Sequence, residues 1–545
     1  MEVSMWSVLV ALFACVRNDD VTSRPLVMAD GTRLAADTIV PPDRTGPVPA
    51  VILQTRYWRS FGLKVRRPPD AMPIQPREDI AEALVAAGYG VVLVDVRGTG
   101  ASEGVWERPW SPAEVADLGE VVAQVAAMPW CDGRVGATGV SYEGTTALLT
   151  ATHDHPALRA VLAREVEWDL VDELLAPGGV RNVGFVQEWD RAVVDLDRGV
   201  FPELFGGAGF LIRGPRTLDG DPDGVELAKV IASRRKPTVA ADLSGVRSPQ
   251  DRWGGSGGPP ASSVGPSAAV EALSTSGAAI GVWGSWWDGA TGDAVLRADA
   301  ELDLVDARIG GWTHEGDRSA SPLGRRGDHD ARVDLADVVA FFDTWLAGDG
   351  GERVRAHWIA GSERWERSTD WPSTSPRRWH LRSDGTLGAP DPGLRRSLDV
   401  DFEATVGTHT RWSTGLLTTV DAPDRSAAPG LLTFRGTSAG PLRLFGAGSL
   451  RCEVSLAAEE AALHVYLEVV EPNGAVRLLT EGVARVRSGV VEVPLRAVAA
   501  ALPADHGLRL SIAGADAGTF ERVPQTGPQR IALHGADCAL ELPVR

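Results

Sequence analysis

Lysine is nearly missing from this chain. There are three, Lys64, Lys229 and Lys236, and Lys and Arg together number 54 against 73 Asp and Glu. The formal net charge of −19 leaves no cationic stripe for phosphates, which argues against a nucleic-acid binder, and it disfavours docking on anionic lipid. Cysteine is almost as scarce. The four, Cys15, Cys131, Cys452 and Cys538, make no disulfide framework, and no C-x-x-C pair or Cys/His cluster offers a metal a site. Cys452 and Cys538 both fall in the C-terminal region; two buried thiols are the expectation, and a bridge is the alternative. Long apolar runs are lacking too. Met5 to Val16 is too short to span a bilayer, and with Glu2 and no Lys or Arg ahead of it it lacks the positive start of an export signal. A cytoplasmic protein that does not enter membranes is expected, with export through that segment left open.

What remains is a globular composition. With 545 residues, 44% apolar and 23% charged, the chain is long enough for two or three domains with a sizeable core. Arg24 to Val40 reads as a hairpin turning at Asp30-Gly31. Gly90 to Val96 is a continuous apolar run of the kind buried on both faces of a parallel sheet. Further strands are expected at Pro49–Thr55, Val135–Val140, Leu158–Ala163, Ala278–Trp283 and Ala307–Gly310. Helices are expected at Ile80–Ala87, Ala113–Ala127, Thr145–Ala151 and Val333–Leu346. Strands alternating with helices predict a doubly wound α/β sheet. The rhythm breaks over 166–275, which includes the Gly/Pro/Ser-rich tract 254–266, too flexible to build a core; this stretch reads as an insertion over the ligand-binding edge. Beyond Gly351 come short β-rich runs such as Leu463–Val470, Val490–Pro494 and Leu508–Ile512, the pattern of an all-β sandwich. The expected domains are 20–165 and 276–350 as one α/β unit, 166–275 as its cap, and 351–545 as the β-sandwich.

The chemistry centres on Arg134-Val-Gly-Ala-Thr-Gly-Val-Ser-Tyr-Glu-Gly144. An apolar strand runs into a Gly139-x-Ser141 turn, and a small-residue helix follows at once. This is similar to the nucleophile elbow of α/β-hydrolases, although the glycine usual at position 143 is displaced to 144, and Glu143 stands there instead. Serine needs a positioned base. His314 follows the last predicted strand and would sit at the same sheet edge; His329 competes, and His153 and His155 lie at the far end of the helix. Asp288 follows the strand before it and could hold the imidazole's tautomer, with Asp293 as its rival. Asp95 begins a turn and more naturally braces it. The Tyr142 N–H, next after the nucleophile, is one oxyanion donor by elbow geometry.

In order along the chain, Met28-Ala-Asp-Gly-Thr-Arg-Leu-Ala-Ala-Asp37, Thr55-Arg-Tyr-Trp58, Asp95-Val-Arg-Gly-Thr-Gly-Ala-Ser-Glu-Gly104, Trp130-Cys-Asp-Gly-Arg-Val-Gly136 with the elbow, Gly284-Ser-Trp-Trp-Asp-Gly289, Gly311-Trp-Thr-His314 and Ser362-Glu-Arg-Trp-Glu-Arg367 resemble the cocaine-esterase-like (CocE/NonD) hydrolases. Those are relatives of X-Pro dipeptidyl peptidases and α-amino acid ester hydrolases. The resemblance implies an α/β-hydrolase fold with an inserted cap and a C-terminal jelly roll, a triad of Ser141, Asp288 and His314, and the Tyr57 hydroxyl as second oxyanion donor. It implies acyl transfer to water through an acyl-serine, with no metal or organic cofactor and a small ester or amide as substrate; a homo-oligomer is compatible with it. Trp58, Trp168 and Trp287 are candidate pocket walls, while Glu143, Glu165, Glu167 and Asp169 could meet a substrate ammonium. An esterase or acylase with an uncharged acyl pocket ranks first, and an X-Pro dipeptidyl peptidase or amino acid ester hydrolase second. A carbohydrate-binding sandwich on a non-catalytic scaffold is the remote third.

Overall fold

Two alternating apolar layers organise the α/β part. In the computed structural model, which describes residues 21–64, 77–203, 207–234, 239–324, 331–407, 410–413, 430–437 and 440–545, ten strands form one sheet. They are β1 (Thr22–Val27), β2 (Arg33–Ile39), β3 (Val48–Thr55), β4 (Gly90–Asp95), β5 (Cys131–Val140), β6 (Leu158–Arg164), β7 (Ala279–Ser285), β8 (Asp306–Gly310), β9 (Val354–Ile359) and β10 (Arg364–Ser368). Their spatial order is β1-β2-β4-β3-β5-β6-β7-β8-β9-β10. The β1–β2, β2–β4 and β9–β10 pairs are antiparallel and the rest are parallel. Every residue of β4 is buried. Side chains alternate across a strand, so Val92 and Val94 meet Val121, Val122 and Val125 of helix α2 (Pro112–Ala126) on one face. Val91 and Leu93 share the other layer with Ile80 and Leu84 of α1 (Glu78–Ala86). The apolar N-terminal stretch, Cys15 and His329 fall outside the described residues.

Local chemistry sets the ends of these elements. Ser111 caps α2, its hydroxyl accepting the Glu114 N–H at 3.3 Å, with Pro112 opening the helix. Helix α3 (Tyr142–Thr150) follows β5 directly, and α4 (Val183–Asp197) in the inserted segment is capped by Asn182. Helix α5 (Thr291–Leu302) had no counterpart among the sequence expectations, because its buried face mixes small apolar residues (Ala294, Val295, Ala298) with Thr291, Gly292 and Asp299 and gives a weak periodic signal. Helix α6 (Leu335–Phe342) places Phe341 and Phe342 in the same layer as Ile80 and Leu84.

Three expectations need correction. The boundary at 351 comes too early, because β9 pairs in parallel with β8 and β10 pairs with β9, which extends the α/β sheet past residue 351; their short β-rich sequences could not be told from sandwich strands. The Gly/Pro/Ser tract does build core. Its turns close through Trp253 N–H to Pro259 O (2.9 Å) and Ala261 N–H to Asp251 O (2.7 Å), and Ala261 and Val264 pack with Leu174, Trp189 and Leu243. Cys452 and Cys538 are joined in a disulfide, on the adjacent antiparallel strands Ser449–Leu456 and Arg530–Val544. Separation along the chain hid that neighbourhood.

From Ser375 on, an eight-stranded sheet and a four-stranded sheet of Leu432–Thr437, Gly507–Ala513, Glu460–Val470 and Val476–Arg487 share apolar residues, among them Leu450 and Leu540 from one and Leu463 and Leu510 from the other. Among the described residues, no helix is long and apolar enough to cross a membrane.

The sheet's first half hangs on one guanidinium. Arg59, 0% exposed, gives Nε to Asp37 (3.0 Å) and Nη1 to Asp95 (2.8 Å), both equally buried. Asp95 also accepts the Arg59 and Ala101 N–H groups, so it braces its turn as its position suggested. Arg59→Met would take the guanidinium from two buried carboxylates, leaving Asp37 with Ser60 and the more distant Arg216 (3.9 Å) and Asp95 with backbone donors, a loss of about 3–5 kcal/mol. A large drop in Tm or insoluble expression is expected, whereas Arg33→Met, which removes a solvent-exposed pair with Glu103, should change stability by about 0.5 kcal/mol or less.

Candidate active site

The carboxyl ends of β5 to β8 are stitched into one edge. Ser141 N–H donates to Arg164 O (2.9 Å), Glu165 N–H to Trp283 O (2.8 Å) and Trp286 N–H to Gly310 O (3.0 Å). The loops leaving these strands therefore start level with one another, and they carry Ser141, Glu165, Asp288 and His314.

Ser141 occupies the turn between β5 and α3 with φ 63° and ψ −123°, a left-handed conformation that L-residues rarely adopt and that marks strain held by its surroundings. A serine preceding a helix usually spends its hydroxyl on the cap; here it makes no capping bond. The displaced glycine has a packing reason. A Cβ on Gly144 would come within 2.7 Å of Arg164 O, and one on Gly139 within 2.4 Å of the Glu143 Cβ, so both glycines let α3 ride close over β5 and β6.

His314 and Asp288 meet: Nδ1 and Oδ2 are 2.7 Å apart, and the pair is buried. Burial alone would lower the imidazole pKa, but Asp288, by charge and hydrogen bond, outweighs it, and the net displacement is upward from the ordinary value. The rival Asp293 instead accepts the Ala497 N–H, and His153 turns to Val115 O. Among the described residues neither Ser141 Oγ nor His314 Nε2 has a hydrogen-bond partner, so the serine–imidazole contact is not closed in this state; such contacts are often long until substrate arrives.

The Asp288 loop is held from outside. Arg411, in the C-terminal region, gives Nη2 to Trp286 O (2.6 Å), and its carbonyl accepts the Gly289 N–H (2.8 Å). Trp287 Nε1 donates to Leu479 O (3.0 Å). Behind Asp288 lies Glu165, wholly buried, receiving Trp312 Nε1 and Thr291 Oγ1. Burial first, and the charge of Asp288 second, hold its pKa well above the usual carboxyl range.

The remaining expected residues fall into two groups. Tyr57 stays near the edge. Its ring meets that of Tyr142 edge-on at 5.9 Å between centroids, its hydroxyl accepts Trp189 Nε1 at 3.0 Å, and burial pushes the phenol up to about 12, keeping it a neutral donor. Tyr142 turns its own hydroxyl to Glu114 (2.5 Å). The others are built into the fold. Trp58 is fully buried with Phe61, Ala192, Leu196 and Ile212. Trp168 is 0% exposed with Nε1 on Glu301, and Trp287 is anchored as described, so these three indoles are structural packing and not pocket walls. Glu143 accepts from Thr55 Oγ1 and Arg77, and Asp169 caps Val171 and Asp172. Glu143, buried with both oxygens engaged, is not open to a substrate ammonium.

Arg77 and Trp189 were not anticipated. Arg77 is a clamp, gripping Glu143, two residues after Ser141, and Glu315, the residue after His314. No motif surrounds it in the sequence. Trp189 lies in the amphipathic run of α4, where an indole reads as ordinary core. Among the described residues no group of His, Cys, Asp and Glu could hold a metal ion.

The chain is similar to known proteins in sequence and in fold. The family model for X-Pro dipeptidyl-peptidase (S15 family) matches residues 30–200, and that for the X-Pro dipeptidyl-peptidase C-terminal non-catalytic domain matches residues 346–536. A protein of Mycobacterium bovis, provisionally named a serine esterase, is 29% identical over 95% of this chain and 94% of its own length. The cocaine esterase of a Rhodococcus species is 26% identical over 72% of this chain and 67% of its own. In fold, an α-amino acid ester hydrolase superposes with a TM-score of 0.73 at 18% identity, each chain covered to 98%. A CocE/NonD family hydrolase of Staphylococcus aureus does so at 0.68 and 15%, covering 96% of this chain and 93% of that one.

Proposed function

We propose that the chain, similar to serine hydrolases of the S15/CocE class, cleaves ester or amide bonds of small acyl compounds through an acyl-serine intermediate. The observation that carries this reading is the buried 2.7 Å pair of His314 and Asp288, set at the edge from which the elbow presents Ser141. In the proposed reaction Ser141 Oγ attacks the acyl carbon as His314 Nε2 takes its proton. Asp288, on Nδ1, fixes the tautomer that leaves Nε2 unprotonated and then stabilises the imidazolium. The tetrahedral oxygen is met by the Tyr142 N–H and the Tyr57 hydroxyl, each contributing on the order of ~3 kcal/mol. His314 returns the proton to the leaving alkoxide or amine, and water repeats the sequence on the acyl-enzyme.

The acyl group is uncharged in this reading. Tyr57, Trp110, Phe185 and Val186 are partly exposed on the flank of the cap's apolar cluster. Trp110 stacks on Tyr142 at 4.9 Å and Phe185 on Trp189 at 6.2 Å. Such half-exposed rings beside the oxyanion donors suit an apolar or aromatic acyl chain. One observation favours amino-acyl or dipeptidyl substrates instead. Glu167 has no ion-pair partner among the described residues, lies close enough to His314 and Asp288 to feel both, and is pushed up to about 7, chiefly by burial. A carboxyl poised near neutrality could receive one ammonium. Measured kcat/KM should be about tenfold or more higher for aryl esters such as 4-nitrophenyl butyrate or benzoate than for Gly-Pro and Ala-Pro anilides. A clear preference for the anilides, lost in Glu167→Gln, would reverse the ranking.

A further inference from the structure

A second cleft opens beside the candidate active site, with a volume of about 630 Å³. Arg164, the last residue of β6, lines it, and Arg164 is anomalous. It is 3% exposed, its Nε has no acceptor, and among the described residues no carboxylate lies within ion-pair distance of it. The neighbouring buried arginines are all paired: Arg59 with Asp37 and Asp95, Arg77 with Glu143 and Glu315, Arg308 with Asp306 and Asp337. An arginine cannot shed its proton to escape burial, so an unpaired guanidinium lining a cleft is a built receptor for an anion.

The surroundings restrict which anion. The cleft also presents carboxylates. Glu315 is committed to Arg77, Asp337 to Arg308, and Asp334 to the first turn of α6; Asp79 and Asp317 line the cleft as well. Arg308, Arg332 and Arg367 line it too, so the acids exceed the arginines by only one, five to four, and the place left is for a single negative charge on Arg164. The apolar surface is aromatic. Trp312 and Trp365 stand 5.7 Å apart between ring centroids at 44°, and Trp283 lies beyond them. We propose that this cleft binds a monocarboxylate with an apolar body, its carboxylate paired with Arg164 and its body against Trp312 and Trp365.

The site is distinct from the acyl pocket and does not depend on which substrate the enzyme takes. It is nonetheless built on residues that hold the catalytic loops: the Arg164 carbonyl accepts the Ser141 N–H, Trp312 Nε1 bonds Glu165, and Glu315 follows His314. An occupant would add order to both loops.

Calorimetric titration of the full-length protein with benzoate, and with benzamide as a neutral isostere, tests the proposal. Saturable benzoate binding is expected, with benzamide and Arg164→Met each weaker by about tenfold or more. Benzoate that binds the variant as tightly as the wild type, binds no better than benzamide, or does not bind at all would overturn it. Should Arg164→Met fail to fold, crystals of the wild type soaked in 4-bromobenzoate decide the matter. An anomalous bromine peak in the cleft beside Trp312 and Trp365 supports the site; its absence there, or a peak only near Ser141, refutes it.

Discussion

Ser141→Ala is expected to lower kcat by on the order of 10⁴–10⁶-fold while leaving Tm unchanged. Both halves follow from the turn's geometry. The hydroxyl makes no bond to the helix it precedes, and the strained backbone is fixed by groups that alanine retains: Ser141 N–H on Arg164 O and Thr145 N–H on Ser141 O. Removing Oγ therefore deletes the nucleophile and nothing that folding uses. Residual turnover would come from the oxyanion donors and from binding. A fluorophosphonate probe should label the wild type and not the variant, with superimposable circular dichroism and melting curves. A wild type that resists the probe would favour the non-catalytic, sugar-binding alternative. A variant that still labels would move the nucleophile elsewhere.

Why the His314–Asp288 pair and the Ser141 turn could be read from sequence, and much of their setting could not, comes down to range. Strand β4 announces itself because both its faces are buried, so its apolar run is unbroken. Ser141, Asp288 and His314 each follow directly on a strand of a parallel sheet, and such strands all deliver their loops to one edge. The positions are local, and the convergence comes with the architecture. What escaped was set by partners far along the chain. Glu143 looked available for a substrate ammonium until Arg77, 66 residues earlier, claimed it. Trp168 and Trp287 stand beside the right motifs, but their N–H groups are spent on Glu301 and on Leu479, 133 and 192 residues away. Proximity to a motif gave no sign of which way an indole faces. The pairing of β9 and β10 with the main sheet was lost for the same reason, since a short β-rich run carries its strand character but not the identity of its neighbour.

Asp288→Asn should be the second most damaging change, at about 10⁴-fold in kcat, and its pH signature separates it from simple disruption. An asparagine at this position can donate its amide to Nδ1 and stabilise the tautomer that protonates Nε2, the wrong one for accepting the Ser141 proton. It also removes the charge that raises His314 above its ordinary pKa against the opposing effect of burial. The base must be neutral to act, so activity in the wild type is lost as pH falls through the His314 pKa, and the acid limb of kcat/KM should lie above about 6.5. In the Asp288→Asn protein burial meets only the weaker pulls of Glu315 and Glu167, and that limb should shift to lower pH even as the plateau falls. Glu165→Gln is the control. Burial and the neighbouring Asp288 hold the Glu165 pKa well above the usual carboxyl range, which favours its neutral form, and glutamine keeps a donor for Asp288 and an acceptor for Trp312, so a loss of only a few-fold is expected, with no shift of the acid limb. A Glu165 variant as crippled as the Asp288 one, or an Asp288 variant whose acid limb stays in place, would mean that the negative charge supporting His314 resides on Glu165 instead.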